Sequence, residues 1–204
     1  MSSNESHAGH QSLIVHLDSY VERIDLGALF GRVAPLEVEV GTGDGGFLLA
    51  RATLHPGRNF LGIERLLGRM RKLDRKGRRA GLANLRLLRL EAGYVLQYLL
   101  PPASVSVLHL YFPDPWPKKR QRKNRLIQLP FGPVVANVLA PGGCVYVRTD
   151  DADYFAQMCE VFDSLEGVKR VETPEEILGT KTEFERDFEA RGIRGLKGGW
   201  QRLA

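Results

Sequence analysis

The chain has 204 residues, 43% hydrophobic and 26% charged, with a formal net charge of +5. That composition describes one globular domain with a sizeable core, and the basic balance suggests a polyanionic partner. No apolar stretch approaches the ~20 residues that cross a bilayer, and neither the polar Met1–His10 nor the two cysteines, Cys144 and Cys159, supply a leader, a disulfide framework or a metal motif.

Residues 1–12 are small and polar and read as a disordered tail. Leu13 to Gly31 reads as a short helix or covering segment. Leu36 to Val40 (LEVEV) alternates as a strand and runs into Gly41 to Phe47 (GTGDGGF), followed by a helical pattern through Leu54. A strand, a glycine turn and a helix in succession form the first unit of a Rossmann-like α/β sheet, in which the backbone approaches a ligand closely. Gly41, Gly43 and Gly46 match the pattern of dinucleotide enzymes, while Gly41, Gly43 and Gly45 match one common in S-adenosylmethionine-dependent methyltransferases.

Acidic residues help to separate those readings. Asn59 to Ile63 is a second strand ending at Glu64, at the interval where a carboxylate meets a ribose hydroxyl pair. Glu39 precedes the glycines, where it would repel a pyrophosphate but attract a ligand carrying an ammonium and a sulfonium; taken alone it is equally a solvent residue at a strand end. Leu66 to Ala80 is a helix with one apolar face and seven arginines and lysines on the rest, read first as a solvated surface and second as a phosphate contact. Leu85 to Leu90 is a third strand, with Glu91 at its end, where a carboxylate could accept from an adenine amino group or, before Ala92 and Gly93, serve as a helix-entry residue.

Val105 to Phe112 is a fourth strand, which Pro113, Pro115 and Pro117 terminate, because proline lacks the ladder donor. The stiff loop carries Asp114 and Trp116, and six of the next eight residues, Lys118 to Arg125, are cationic. A rigid carboxylate, a flat aromatic and a positive field suit a gripped base and a held phosphate backbone. Ile127 to Leu139 reads as a helix, Pro141 to Gly143 as a turn, Cys144 to Val147 as a strand reaching Asp150, Ala152 to Leu165 as a helix and Val168 to Val171 as a strand. Thr182 to Glu185 (TEFE) reads as a loop or short helix before a last strand.

These motifs, in this order and spacing, resemble the bacterial tRNA (guanine-N7)-methyltransferases over roughly Leu36 to Gly192. The resemblance implies a seven-stranded, mostly parallel class I methyltransferase sheet with helices on both faces, a single domain over residues 13–204, S-adenosylmethionine as cofactor and the variable-loop guanosine of tRNA as substrate. It further implies a cytoplasmic enzyme, monomeric or homodimeric, that uses neither membrane nor metal. By matching position, Glu39, Gly41, Gly43, Gly45, Glu64, Glu91 and Asp114 fall in the cofactor site. Lys118, Asp150, Thr182, Glu183, Phe184 and Glu185 fall among the substrate contacts. The third acid, commonly aspartate or asparagine in such enzymes, is Glu91 here.

Guanine N7 keeps an in-plane lone pair and needs no strong base, which agrees with a chain whose His16, His55 and His109 form no catalytic constellation. Asp114 is the candidate catalytic residue, accepting from the guanine edge, and Trp116 either stacks on the flipped base or cofactor or wedges the proline loop. Two other readings stand beside this one. Asp114-Pro115-Trp116 loosely resembles a loop that grips an exocyclic amine, and a non-catalytic RNA-binding protein could retain the same fold.

Overall fold

A computed structural model describes residues 11–204; the greater part of the predicted tail, with His7 and His10, lies outside the described residues. The chain opens with β1 (Ile14–Val15) and α1 (Leu26–Phe30), then alternates β2 (Leu36–Val40), α2 (Gly46–Leu54), β3 (Asn59–Ile63), α3 (Leu67–Arg79) and β4 (Leu85–Leu88). It continues through α4 (Ala92–Tyr94), a π-helical turn at Val95–Leu99, β5 (Val105–Tyr111), a 3-10 turn at Lys119–Asn124, α5 (Phe131–Val138) and β6 (Leu139–Thr149). The last third holds α6 (Ala152–Asp163), β7 (Val168–Val171), α7 (Glu175–Leu178), α8 (Glu183–Ala190) and β8 (Leu196–Arg202).

The eight strands lie in the order β1-β4-β3-β2-β5-β6-β8-β7, with only β8 antiparallel to its neighbours. The expected sheet is therefore present with one strand more. Two residues leave no periodicity, so the sequence suggests helix or cover over Leu13 to Gly31, whereas Ile14 and Val15 pair with Leu87 and Leu88 as a strand. The predicted turn at Pro141 to Gly143 lies within β6: Val105 pairs with Leu139 and Val107 with Cys144, so the intervening residues bulge between two paired segments. The predicted helix from Ile127 begins only at Phe131.

Parallel sheets are covered on both faces, so their strands are buried throughout, and every residue of β2 and β3 is buried. One core joins Val38, Val40 and Leu108 to Leu96, Val135, Tyr154 and Phe162. A second joins Leu48 and Ala52 of α2 and Met70 and Leu73 of α3 to Phe60, Leu85 and Leu87, and it includes Leu13. Ser12, from the predicted tail, donates to Asp74 at 3.3 Å, as does the Leu13 amide at 2.8 Å. Strand order reverses between β2 and β5, and sheets of this kind bind ligands outside the carboxyl ends of the strands at such a reversal. The register Val40 to Leu110 makes the two following loops neighbours there.

Candidate active site

The glycine turn supplies the floor. Gly41, Gly43 and Gly45 have φ of 71°, 54° and 75°, which residues with a Cβ adopt only at a cost. Gly45 is constrained twice, since a Cβ there would lie 2.4 Å from Leu73 of α3. Glu64, at the end of β3, braces this turn from the side: its carboxylate accepts the Gly43 amide at 3.1 Å and the Leu66 amide at 2.8 Å. Each oxygen keeps accepting capacity for a ligand hydroxyl.

Glu39 is buried, not the solvent-facing strand end that its position equally allowed. Burial pushes its carboxyl well above the usual range; the Arg148 charge and the Leu48 amide oppose that, and Glu64 adds to it. Its Oε2 is buried without a hydrogen-bond partner among the described residues, an arrangement that costs stability unless a ligand donates to it. The orphaned oxygen stands beside a turn with φ values suited to a close backbone approach, and it fits a group bearing an ammonium.

Behind Glu39 the polar groups are paired. Glu37 accepts from Arg51 Nη2 at 2.9 Å and from Arg58 at 2.7 Å, and it faces His109 Nε2 at 3.2 Å, while His109 Nδ1 lies 2.8 Å from the Tyr111 hydroxyl. Burial raises the Glu37 pKa, but the bonds from His109 and Arg51 outweigh it and hold the group well below the usual carboxylate range. Burial lowers the pKa of His109 and raises that of Tyr111. An ionised Glu37 and a neutral ring assign the proton to Nε2, so Nδ1 accepts from Tyr111.

The proline loop forms the second wall. Asp114 is exposed, and the residues bracketing its stretch, Phe112 and Trp116, both have positive φ, 48° and 43°. Bulky side chains in that region store roughly 1 to 3 kcal/mol each and persist only where their surroundings enforce them. Arg125 is one enforcer. Although it belongs to the cationic run, it is buried, donates to the Pro115 carbonyl at 2.7 Å and to Asp153 at 2.7 Å, and stacks over Tyr154. The run is therefore two things: exposed Lys118, Lys119 and Arg120, and a buried pin.

α8 is the roof, and it divides the TEFE segment. Thr182 and Glu185 form a capping box: the Thr182 hydroxyl accepts the Glu185 amide at 3.0 Å, and the Glu185 carboxylate accepts back from the Thr182 amide. Glu185 is also paired with buried Arg148, which donates to the Thr180 carbonyl as well, and with Lys197. Glu183 and Phe184 face the glycine turn instead. A Cβ on Gly46 would lie 3.6 Å from Glu183, and one on Gly43 would lie 4.0 Å from Phe184. The Phe184 ring is 6.2 Å from Phe112, which connects roof to wall.

Two expected site residues have no partner among the groups described so far. Glu91 is the N-cap of α4, with its two oxygens taken by the Gly93 and Tyr94 amides. Asp150 is exposed at the end of β6, and Asp151 caps α6. Sequence reasoning missed Arg148, Arg125 and Glu37. A run of two glutamates in a strand covered on both faces is the one signal that could have announced the last.

Comparison with solved structures shows the fold alone. The 16S rRNA methyltransferase KamB superposes with a TM-score of 0.61 at 19% identity, over 90% of this chain and 95% of that one. The [4+2]-cyclase SpnF does so at 0.55 and 12%, over 83% and 75%; the fold by itself does not select a reaction. Sequence comparison does more. The model of a family described as "Putative methyltransferase" matches residues 33–196. A tRNA (guanine-N(7)-)-methyltransferase of Bordetella parapertussis is 38% identical over 179 residues, 87% of this chain and 69% of that protein. One of Cronobacter sakazakii is 35% identical over 202 residues, 98% and 84%. With a family model matching residues 33–196 and relatives 35% and 38% identical over most of this chain and more than two thirds of their own length, the chain belongs to the tRNA (guanine-N(7)-)-methyltransferase family.

Proposed function

We propose that this chain, a single domain over residues 13–204, transfers a methyl group from S-adenosylmethionine to N7 of a guanosine in the variable loop of tRNA, acting in the cytoplasm. The observation that carries the reading is the buried, partnerless Glu39 oxygen at a glycine turn that faces a rigid, aspartate-bearing loop. Bound S-adenosylmethionine supplies a methyl group on a sulfonium, open to attack by a lone pair that needs no prior deprotonation. Glu39 and the turn amides hold the amino-acid end of the cofactor, and Glu64 accepts from its ribose. Glu91, engaged as the cap of α4, would meet the adenine only with the accepting capacity that its two amide bonds leave.

The chain's part in the chemistry is placement and charge. Asp114 accepts from guanine N1–H and the exocyclic amine, which orients N7 and offsets the positive charge that grows on the ring. Trp116 stacks on the base, and Phe184 and Glu183 close the site from above. Lys118 holds a phosphate, and Asp150, exposed at the neighbouring strand end, meets the substrate there. The enzyme acts as a monomer or a homodimer.

Incubation with labelled S-adenosylmethionine and unmodified tRNA transcript, followed by digestion to nucleosides, should yield 7-methylguanosine, lost when the variable-loop guanosine is replaced. Asp114→Ala should lose most turnover while melting like the parent. A different methylated nucleoside would move the target to an amine, and tight tRNA binding without transfer would leave a binding protein.

A further inference from the structure

The cationic face of α3 has no part in the site described above. Its arginines and lysines recur near helical spacing: Arg69, Lys72, Arg75, Lys76 and Arg79 lie along one stripe. From Arg69 to Arg79 that stripe is about 15 Å long. The helix has a single acid, Asp74, and it is turned inward, where it accepts from the Leu13 amide and Arg78. Among the described residues, exposed Arg69, Arg71, Arg75 and Arg79 enter no ion pair. Lys72, Arg75, Lys76 and Arg79 line a concavity of about 350 Å³. A solvated face normally interleaves acids and bases; this one concentrates one sign around a hollow, which favours an anion.

Its position gives the anion an identity. Lys72 is paired with Asp44 of the glycine turn at 2.5 Å, and Lys76 reaches Glu183 of α8 at 3.7 Å. The stripe therefore flanks the candidate site on the β3 side, whereas Lys118 to Lys123 follow β5, and β2 lies between those two strands. Phosphates succeed one another at about 3.4 Å along each strand of a duplex, so a stripe of this length faces several. We propose that α3 is a second phosphate-binding surface, which holds the tRNA backbone on the side of the glycine turn opposite the Lys118 run, so that the substrate crosses the site between two cationic rails. The identity of the RNA rests on the proposed function; the phosphate surface does not.

The test is the salt dependence of binding, measured with unmodified tRNA transcript and with an unrelated RNA duplex, for the full chain and for R69E/R75E/R79E. Each lost phosphate contact removes about 0.9 from the slope of log affinity against log salt. Loss of three contacts would make the parent's affinity fall about 40-fold more than the variant's between roughly 50 and 200 mM salt. S-adenosylmethionine binding should match the parent, and the neutral variant R69A/R75A/R79A should reproduce the flattened slope if the reversed charges disturb folding. Parental affinity and slope in both variants would overturn the proposal. If the slope flattens for both RNAs while no methyl group is transferred, the surface stands and the proposed reaction falls; if the parent binds neither RNA, both fall.

Discussion

Glu37 and Glu39 are two residues apart on β2, point to the same side of the sheet and are both buried, yet they differ in almost everything else. Glu37 is surrounded by Arg51, Arg58 and His109 and is held ionised, its pKa depressed despite burial. Glu39 has an oxygen without a partner and a pKa that burial raises. Residue type, strand and burial are shared, so none of them separates a structural carboxylate from one that awaits a ligand. Hydrogen-bond accounting does. A carboxylate whose acceptor sites are filled by its own chain belongs to the framework, and one left short at the mouth of a glycine turn belongs to whatever binds there.

Deleting the filled carboxylate should have the largest effect. Glu37→Ala would leave Arg51, itself fully buried and with an Nη1 unpartnered among the described residues, with only the 3.5 Å contact to half-exposed Glu176 beside a neutral His109. Breaking a buried pair from one side costs about 3 to 5 kcal/mol, which urea denaturation would register directly. A loss below about 1 kcal/mol, the range of an exposed pair, would show that the Glu37 cluster is not a framework and would erase the contrast.

Glu39→Gln should do the reverse, leaving the ligand-free fold as stable as the parent or more so. Cofactor affinity should fall by about 10- to 100-fold, the worth of a hydrogen bond to a charged group. The pH dependence sharpens the distinction because the two signs oppose. Above its unfolded value of 4.5, Glu39 is ionised in the unfolded chain but still protonated in the fold. Its contribution is therefore lost as pH rises from there through the raised folded value. Glu37 contributes stability that is present above 4.5 and is lost as pH falls below it toward the depressed folded value. Urea midpoints of the ligand-free protein over about pH 4 to 8 should show a declining limb in the parent that is absent from the Gln variant. A limb unchanged by the substitution would mean that Glu39 does not titrate in that range.

What could be read from sequence was local. The glycine turn, the proline loop and the strand-end acids are each written within a few consecutive residues, and the β2 to β5 register brings them together as the parallel topology requires. What could not be read depends on long separations. The bond from Arg51 to Glu37 spans 14 residues and that from His109 to Glu37 spans 72, and no periodicity reports either. Arg125 shows the converse failure. Lys118, Lys119, Arg120 and Lys123 of the cationic run are exposed, so the run masks the fully buried member that pins Pro115. β1 was missed because two residues carry no pattern, and they join the sheet only because β4 offers an edge.

The TEFE segment repeats the Glu37 and Glu39 contrast on a smaller scale, and its pattern had two meanings at once. Threonine followed three residues later by glutamate is a capping box as well as a family motif, and the side chains divide accordingly. Thr182 and Glu185 close the helix cap and dock it on Arg148, while Glu183 and Phe184 lie against the glycine turn. Thr182→Ala should therefore cost about 1 kcal/mol, the worth of an N-cap hydroxyl, measured as a lowered urea midpoint. Methyl transfer should recover at low temperature, where α8 remains docked. Phe184→Ala should leave the midpoint near the parent's, since the ring is half exposed, and weaken transfer instead. If Thr182→Ala abolished transfer on an unchanged unfolding curve, the hydroxyl would be a substrate contact, and the cap in α8 would be incidental to it.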